Sequence, residues 1–313
     1  MKYAIISDVH GNAHALRLAL EDARREGAQG FLFAGDYCIS MPWANEAITL
    51  IRSTPNAHII RGNDDVHLHV TDGDDGQYEV SRWCAKAVTP ENHAWLDALP
   101  DRLDFILEGV PVHMAHSSEA FVGKALHARF RTSLLPSLYP DGPVSRDALT
   151  EAFRAFASTG DLADAIAALS PGVYIFGHNH IQTWGDFGRR VLINPGSVGL
   201  PLDCGEAGAA YSLMTIENGA VTIQERRVPY DLEYLIGKIR QSGQYTAARV
   251  WTELIVSELR TCREKVAQFL WSCEDYARRI GDLRRPFAKD TWEAACDEWL
   301  RTARERFPAL FVH

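Results

Sequence analysis

Several things are scarce in this sequence of 313 residues, and each scarcity excludes something. No window of about eighteen uncharged apolar residues occurs, so no segment reads as a membrane-crossing helix. The six cysteines, Cys38, Cys84, Cys204, Cys262, Cys273 and Cys296, are scattered and form no CxxC pair. That spacing argues against a cysteine-based zinc site or a disulfide framework and predicts buried thiols. Positive charge is in deficit: the net charge is -9, which gives no long-range attraction for nucleic acid or an anionic membrane. A phosphorylated substrate would need cations supplied locally, and bound metal ions are one source. No internal repeat or low-complexity stretch is evident. The opening MKYAIISDVHG begins like a leader, but Asp8 and His10 break the apolar run too early and no small-residue cleavage site follows. A cytoplasmic protein is the expectation.

What is present is ordinary globular material, 46% hydrophobic and 23% charged. Tyr3 to Ser7 is a short apolar run, and Ala15, Leu16, Ala19, Leu20 and Ala23 then recur at helical spacing. Strand-like stretches at Gly30 to Ala34 and Ala57 to Ile60 flank a helical one near Asn45 to Ile51, the βαβ rhythm of a largely parallel sheet. More strands are expected around Glu108 and Gly109, at Val173 to Phe176 and at Val191 to Ile193, with a hairpin at Ala209 to Arg227 turning on Asn218 and Gly219. From about Tyr230 the pattern is almost wholly helical. Val266, Phe269, Leu270 and Cys273 make an amphipathic stripe there, and Trp251, Trp271, Trp292 and Trp299 should be buried.

The polar residues fall at strand ends. Asp8 and His10 end the first strand, Asp36 the second and Asn63 the third, while His116, His178 and His180 follow later ones. In open α/β sheets chemistry sits beyond the carboxyl ends of the strands. One strand-end Asp is usually a turn residue and one His usually a structural residue. The same placement on five strands is what carries weight, and mixed Asp, His and Asn donors suit Mn, Fe, Zn, Ni or Mg.

The blocks DVH at Asp8 to His10, GD at Gly35 and Asp36, GND at Gly62 to Asp64, AHS at Ala115 to Ser117 and GHNH at Gly177 to His180 resemble, in type and order, the calcineurin-like metallophosphoesterases. NPGSVGLP at Asn194 to Pro201 and VPYDLE at Val228 to Glu233 are similar to its compact bacterial and archaeal phosphodiesterase branch. The resemblance covers roughly Lys2 to Glu233. It implies an α/β fold, a four-layer α/β/β/α sandwich of two mixed sheets flanked by helices. It also implies two divalent metal ions, with manganese favoured, and hydrolysis of a phosphate ester by metal-activated water. One ion would be held by Asp8, His10, Asp36 and His180 and the other by Asp36, Asn63, His116 and His178, with Asp36 bridging. Asp36, Asn63 and Asp64 would be the catalytic residues. The substrate would be small and phosphorylated, a nucleotide or dinucleotide among the options. A phosphodiesterase is favoured, with a phosphomonoesterase or nucleotide phosphatase, or a non-catalytic metal-binding scaffold of the same fold, as alternatives.

One departure from the family pattern is informative. Many members carry a His directly after the Asn of the GN block as general acid, where this chain has Asp64. Asp64 could itself protonate a leaving oxygen if burial raised its proton affinity, but a second carboxylate would repel phosphate, so the favoured expectation is that it faces away or binds a backbone amide. Asn12 could donate to phosphate or cap a loop. His67 and the other histidines outside the blocks read as surface or packing residues.

The expected organisation is a metallophosphoesterase core at 1–230, with a helical insertion at about 118–170, and a helical C-terminal extension at 231–313. The extension is nearly balanced in charge, and its apolar residues must pack on the core, on a second copy in a homo-oligomer, or over the active site. Its basic cluster Arg278, Arg279, Arg284, Arg285 and Lys289 reads as a solvated helical face rather than a nucleic-acid site.

Overall fold

The computed structural model describes residues 1–69, 72–123 and 144–306, the side chains of 303–306 excepted. Two five-stranded mixed sheets lie face to face. The first runs in the order β10-β9-β1-β2-β3, from β1 (Lys2–Ile6), β2 (Gly30–Phe33), β3 (Ala57–Ile59), β9 (Ala209–Glu217) and β10 (Ala220–Val228). β1, β2 and β3 are parallel, whereas β9 runs antiparallel to both β1 and β10. The second sheet runs β4-β5-β6-β8-β7, from β4 (Arg102–Leu107), β5 (Val110–Ala115), β6 (Gly172–Ile175), β7 (Gln182–Asp186) and β8 (Arg190–Pro195). Its central strands β5, β6 and β8 are parallel.

Because successive side chains on a strand point to opposite faces, each central strand serves two layers. Tyr3 and Ile5 of β1, Leu32 of β2 and Val173 and Ile175 of β6 fill the space between the sheets. Ala4 and Ile6 of β1, with Phe31 and Phe33 of β2, face outward onto α1 (Ala13–Arg25) and α2 (Ala44–Arg52). Tyr174 of β6 and Leu192 of β8 face the other way, onto the helices Arg146–Ala157 and Gly160–Ala167. This is the expected four-layer sandwich. All six cysteines are buried and free, as their scatter predicts.

Short helices α3 (Asn63–His67), α4 (Glu79–Ala87), α5 (Pro90–Asp97) and α6 (Glu119–Val122) join the strands of the first half. Of the expected insertion, α6, α7 (Arg146–Ala157) and α8 (Gly160–Ala167) are seen, and 124–143 lie outside the described residues. Ser145 caps α7 by accepting from the Ala148 amide.

The C-terminal segment forms α9 (Leu232–Arg240), α10 (Gly243–Ala247), α11 (Arg249–Thr261), α12 (Val266–Ile280) and α13 (Lys289–Arg306). α9 and α11 pack Leu235, Ile236, Ile239, Ile255 and Leu259 onto Met41, Leu200 and Leu202, which stand on loops of the sandwich. α12 and α13 build a further core with α11 from Leu254, Phe269, Cys273, Trp292 and Cys296. Within the single chain Trp292 is buried, Trp251 and Trp299 are half-buried and Trp271 is 72% exposed, so burial of Trp271 would need a second copy. Two residues along a helix rotate a side chain by about 200°, so Trp271 points away from the stripe of Phe269 and Cys273. The basic cluster is spent on ion pairs: Arg278 and Arg285 on Glu274, Arg279 on Glu298, Arg284 on Asp282 and Asp290, and Lys289 on Glu79.

Candidate metal centre

The strand-end donors converge where the two sheets present the carboxyl ends of their parallel strands. Asp8 and His10 follow β1, Asp36 follows β2, Asn63 opens α3 after β3, His116 follows β5, and His178 and His180 follow β6. Asp8, His10 and His180 form one group whose ligand-type atoms all lie within 4.8 Å of one another, and Asp36, His116 and His178 form another. His10, Asp36 and Asp64 meet the same criterion and connect the two. The Nε2 atoms of His10 and His180 approach to 3.0 Å, and His116 Nε2 stands 3.0 Å from Asp36 Oδ2.

Five of these residues have positive φ: Asp8 (53°), His10 (49°), Asp36 (58°), His178 (71°) and His180 (60°). The left-handed region is sterically unfavourable for non-glycine residues, and such strain collects at functional sites where the surroundings enforce it. Here the backbone turns sharply after each strand and aims the side chain inward. Neighbouring glycines make room. A Cβ on Gly62 would lie 2.1 Å from Asp36 Oδ1, and one on Gly177 would lie 2.4 Å from Asp8 Oδ2.

Each donor is also held from behind. His116 Nδ1 lies 2.7 Å from the Ala34 carbonyl and His180 Nδ1 2.7 Å from that of Leu200, so each imidazole donates outward through Nδ1 and presents Nε2 to the centre. Asp8 accepts from the His178 amide, and Asp36 Oδ1 accepts from the Asp64 amide at 2.8 Å. Asp65, which matches the acid that follows in the family pattern, accepts from the amides of Asp36, Tyr37 and Gly62 and so clamps two ligand loops. In the NPGSVG block, Asn194 donates to Gly177 O and Asn179 Oδ1, while Ser197 donates to Asp8 O and accepts from the Leu200 amide. Their sequence signal is membership of these blocks, which does not say what they bond. Asn12 caps α1 by accepting from Ala15 and donates to Gly199 O, which is the loop-capping alternative.

Asp64 corrects an expectation. Its carboxylate turns toward the centre, with Oδ2 3.4 Å from His10 Nδ1, rather than away from it. The reason is local: its own amide is anchored on Asp36, Asn63 Nδ2 donates to Oδ1, and the imidazoles of His10 and His67 lie on either side.

The electrostatics fit a cation. Burial pushes the Asp8 carboxyl up to about 6 and Asp65 up to about 7, with the Asp36 charge adding to both. Burial also opposes the charge of Asp36, but His116 beside it holds Asp36 below the ordinary carboxylate range. His116 is pushed up to about 10 against its own burial by Asp36 and Asp8. Crowded buried carboxylates of this kind are relieved by positive charge. Asn63 Oδ1 is buried without a hydrogen-bond partner, which matches a ligand position.

With this geometry in place, a family model described as the calcineurin-like phosphoesterase superfamily domain matches residues 1–219. The chain belongs to that superfamily. As a calcineurin-like phosphoesterase it is a metal-dependent hydrolase of phosphate esters, and its clustered donors are potential metal ligands. It is 27% identical over 255 residues to an uncharacterized protein of Methanocaldococcus jannaschii, covering 75% of this chain and 90% of that one. In fold it is similar to a metallophosphoesterase from Sphaerobacter thermophilus, with a TM-score of 0.58, 22% identity and 84% and 100% of the two chains covered. A hypothetical protein from Pyrococcus horikoshii is similar at a TM-score of 0.57 and 17% identity, covering 81% of this chain and 97% of that one.

Proposed function

We propose that this chain is a cytoplasmic phosphodiesterase working with two divalent ions, manganese favoured, and acting on a small phosphorylated substrate. Asp8, His10, Asp36 and His180 would hold one ion and Asp36, Asn63, His116 and His178 the other, with Asp36 shared. The observation that carries this is the pair of buried donor groups, Asp8 with His10 and His180, and Asp36 with His116 and His178. When bound, such ions supply positive charge to phosphate oxygens and make water more acidic.

The chain's own residues supply position and charge. His116 and His180 are fixed by backbone carbonyls, so their rings need no reorganisation. The Asp64 carboxylate at the mouth favours a diester. A diester carries one negative charge and a monoester approaches two, so its repulsion falls about twice as hard on the monoester. The core at 1–230 would carry the chemistry and 231–313 would brace it: Gln244 of α10 donates to Ser40 O in the loop that follows Asp36.

The test is metal-stripped protein reloaded with manganese, assayed on bis(4-nitrophenyl) phosphate and 4-nitrophenyl phosphate with metal counted per chain. Two ions and a faster diester are expected. One ion, or a faster monoester, overturns the reading, and a fully loaded but inert protein points to the scaffold alternative.

A further inference from the structure

His67 stands one turn of α3 beyond Asp64, with its Nδ1 3.6 Å from Asp64 Oδ1, and its side chain is 60% exposed. The other oxygen of the same carboxylate lies 3.4 Å from buried His10. Asp64 thus links the donor cluster to an imidazole at its mouth. It is itself fixed from two sides, by its amide on Asp36 and by the Asn63 side chain on Oδ1. A carboxylate facing Nδ1 selects the tautomer that keeps a proton there and turns Nε2 outward, the arrangement in which a carboxylate orients a histidine for proton transfer. Asp64, with Asp36 from the loop after β2 adding its charge, holds the His67 imidazole above its ordinary proton affinity. The remaining imidazoles of the centre, His10, His116, His178 and His180, belong to the ligand groups.

We propose that His67 is a catalytic residue of this enzyme, the proton donor to the leaving oxygen, and that Asp64 is its positioning residue. The proposal rests on the phosphoesterase reading above. As a bond from the attacking water oxygen to phosphorus forms, the ester P–O bond breaks and its electron pair stays on the leaving oxygen. That oxygen takes the proton from His67 Nε2. The attacking water releases a proton to solvent, and the imidazole recovers one from solvent. The absence of a histidine directly after Asn63 is thereby made good one helical turn later.

A series of methyl aryl and dialkyl phosphodiesters of rising leaving-group basicity separates this from the general reading. In the manganese-loaded full chain, His67→Gln should lower kcat on the poorest leaving groups by about 100-fold or more, the usual scale of general-acid catalysis. On 4-nitrophenyl esters it should change kcat less than about threefold, and KM and metal content should stay constant. Asp64→Asn should steepen the leaving-group dependence in the same direction by a smaller factor. Equal losses across the series, or none, in His67→Gln overturn the role of His67. A wild-type protein that hydrolyses no ester in the series overturns the phosphoesterase reading instead.

Discussion

The donor cluster and the C-terminal helices are both well packed, but they are built on opposite principles. At the cluster, charged and polar groups are buried, five ligand-type residues sit in left-handed backbone, and a Cβ added at Gly62 or Gly177 would collide with a carboxylate oxygen. In α11 to α13 apolar side chains fill the interior, and apart from Glu258, buried on the Lys265 and Val266 amides, charged ones pair at the surface, as Arg278 with Glu274 and Arg279 with Glu298. The first region accepts strain to place chemistry, and the second supplies burial. They meet at the loop between Asp36 and α2, where Gln244 bonds Ser40 and α9 and α11 cover Met41.

That contrast can be broken from the site side with the largest effect. Asp36→Asn should lower diesterase turnover by more than about 100-fold, because even the outer partners of metal ligands cost 10–100-fold when removed. Its melting temperature should stay within a few degrees of wild type. Turnover and metal content measured together check it, and a fully active variant would end the two-ion assignment. From the other side, Trp292→Ala should lower stability by about 3–5 kcal/mol, since this ring is buried against Phe269 and Phe287. Urea denaturation reads that loss, while turnover per folded molecule should hold. If turnover falls in step with stability, the extension shapes the site as well as bracing it.

The smallest effect is one of pH. Burial pushes Glu225 on β10 up to about 7, against the pull of Thr150 and Arg146. A carboxyl whose folded-state value is raised contributes its stability below the unfolded value of about 4.5 and loses it as pH rises through about 7. Glu225→Gln removes that loss. Its stability advantage over wild type should therefore grow from pH 4.5 to pH 7, to at most about 3 kcal/mol for a carboxyl moved from 4.5 to about 7. Denaturation midpoints across that range would show a constant difference if the carboxyl were not strained.

Much of this was legible in the chain. Tyr3 to Ser7 and Gly30 to Ala34 announce strands because apolar runs bounded by turn residues have few other uses. The seven donors could be named because their blocks recur in a fixed order, and six of the seven fall into the two compact groups, with Asn63 beside them. Asp64 was misjudged because its direction depends on three neighbours, Asp36, His10 and His67, that come from different loops or the next helical turn. Asp65 matches the family pattern and Ser197 stands in the NPGSVGLP block, but what each holds is backbone far away in sequence, on Tyr37 and on Asp8.

By itself, the sequence determined the alternation of strands and helices, the donor set and its order, and the helical nature of the extension. These follow from local periodicity and residue chemistry. Only the tertiary structure decided that Asp8 and His180 meet, that the Asp64 carboxylate faces inward, and that α9 and α11 lie on the loop behind Asp36. Those outcomes depend on contacts between residues as much as 204 positions apart, as in Gln244 on Ser40. Such contacts exist only where both sheets are paired in register and the burial between them holds the strand ends together.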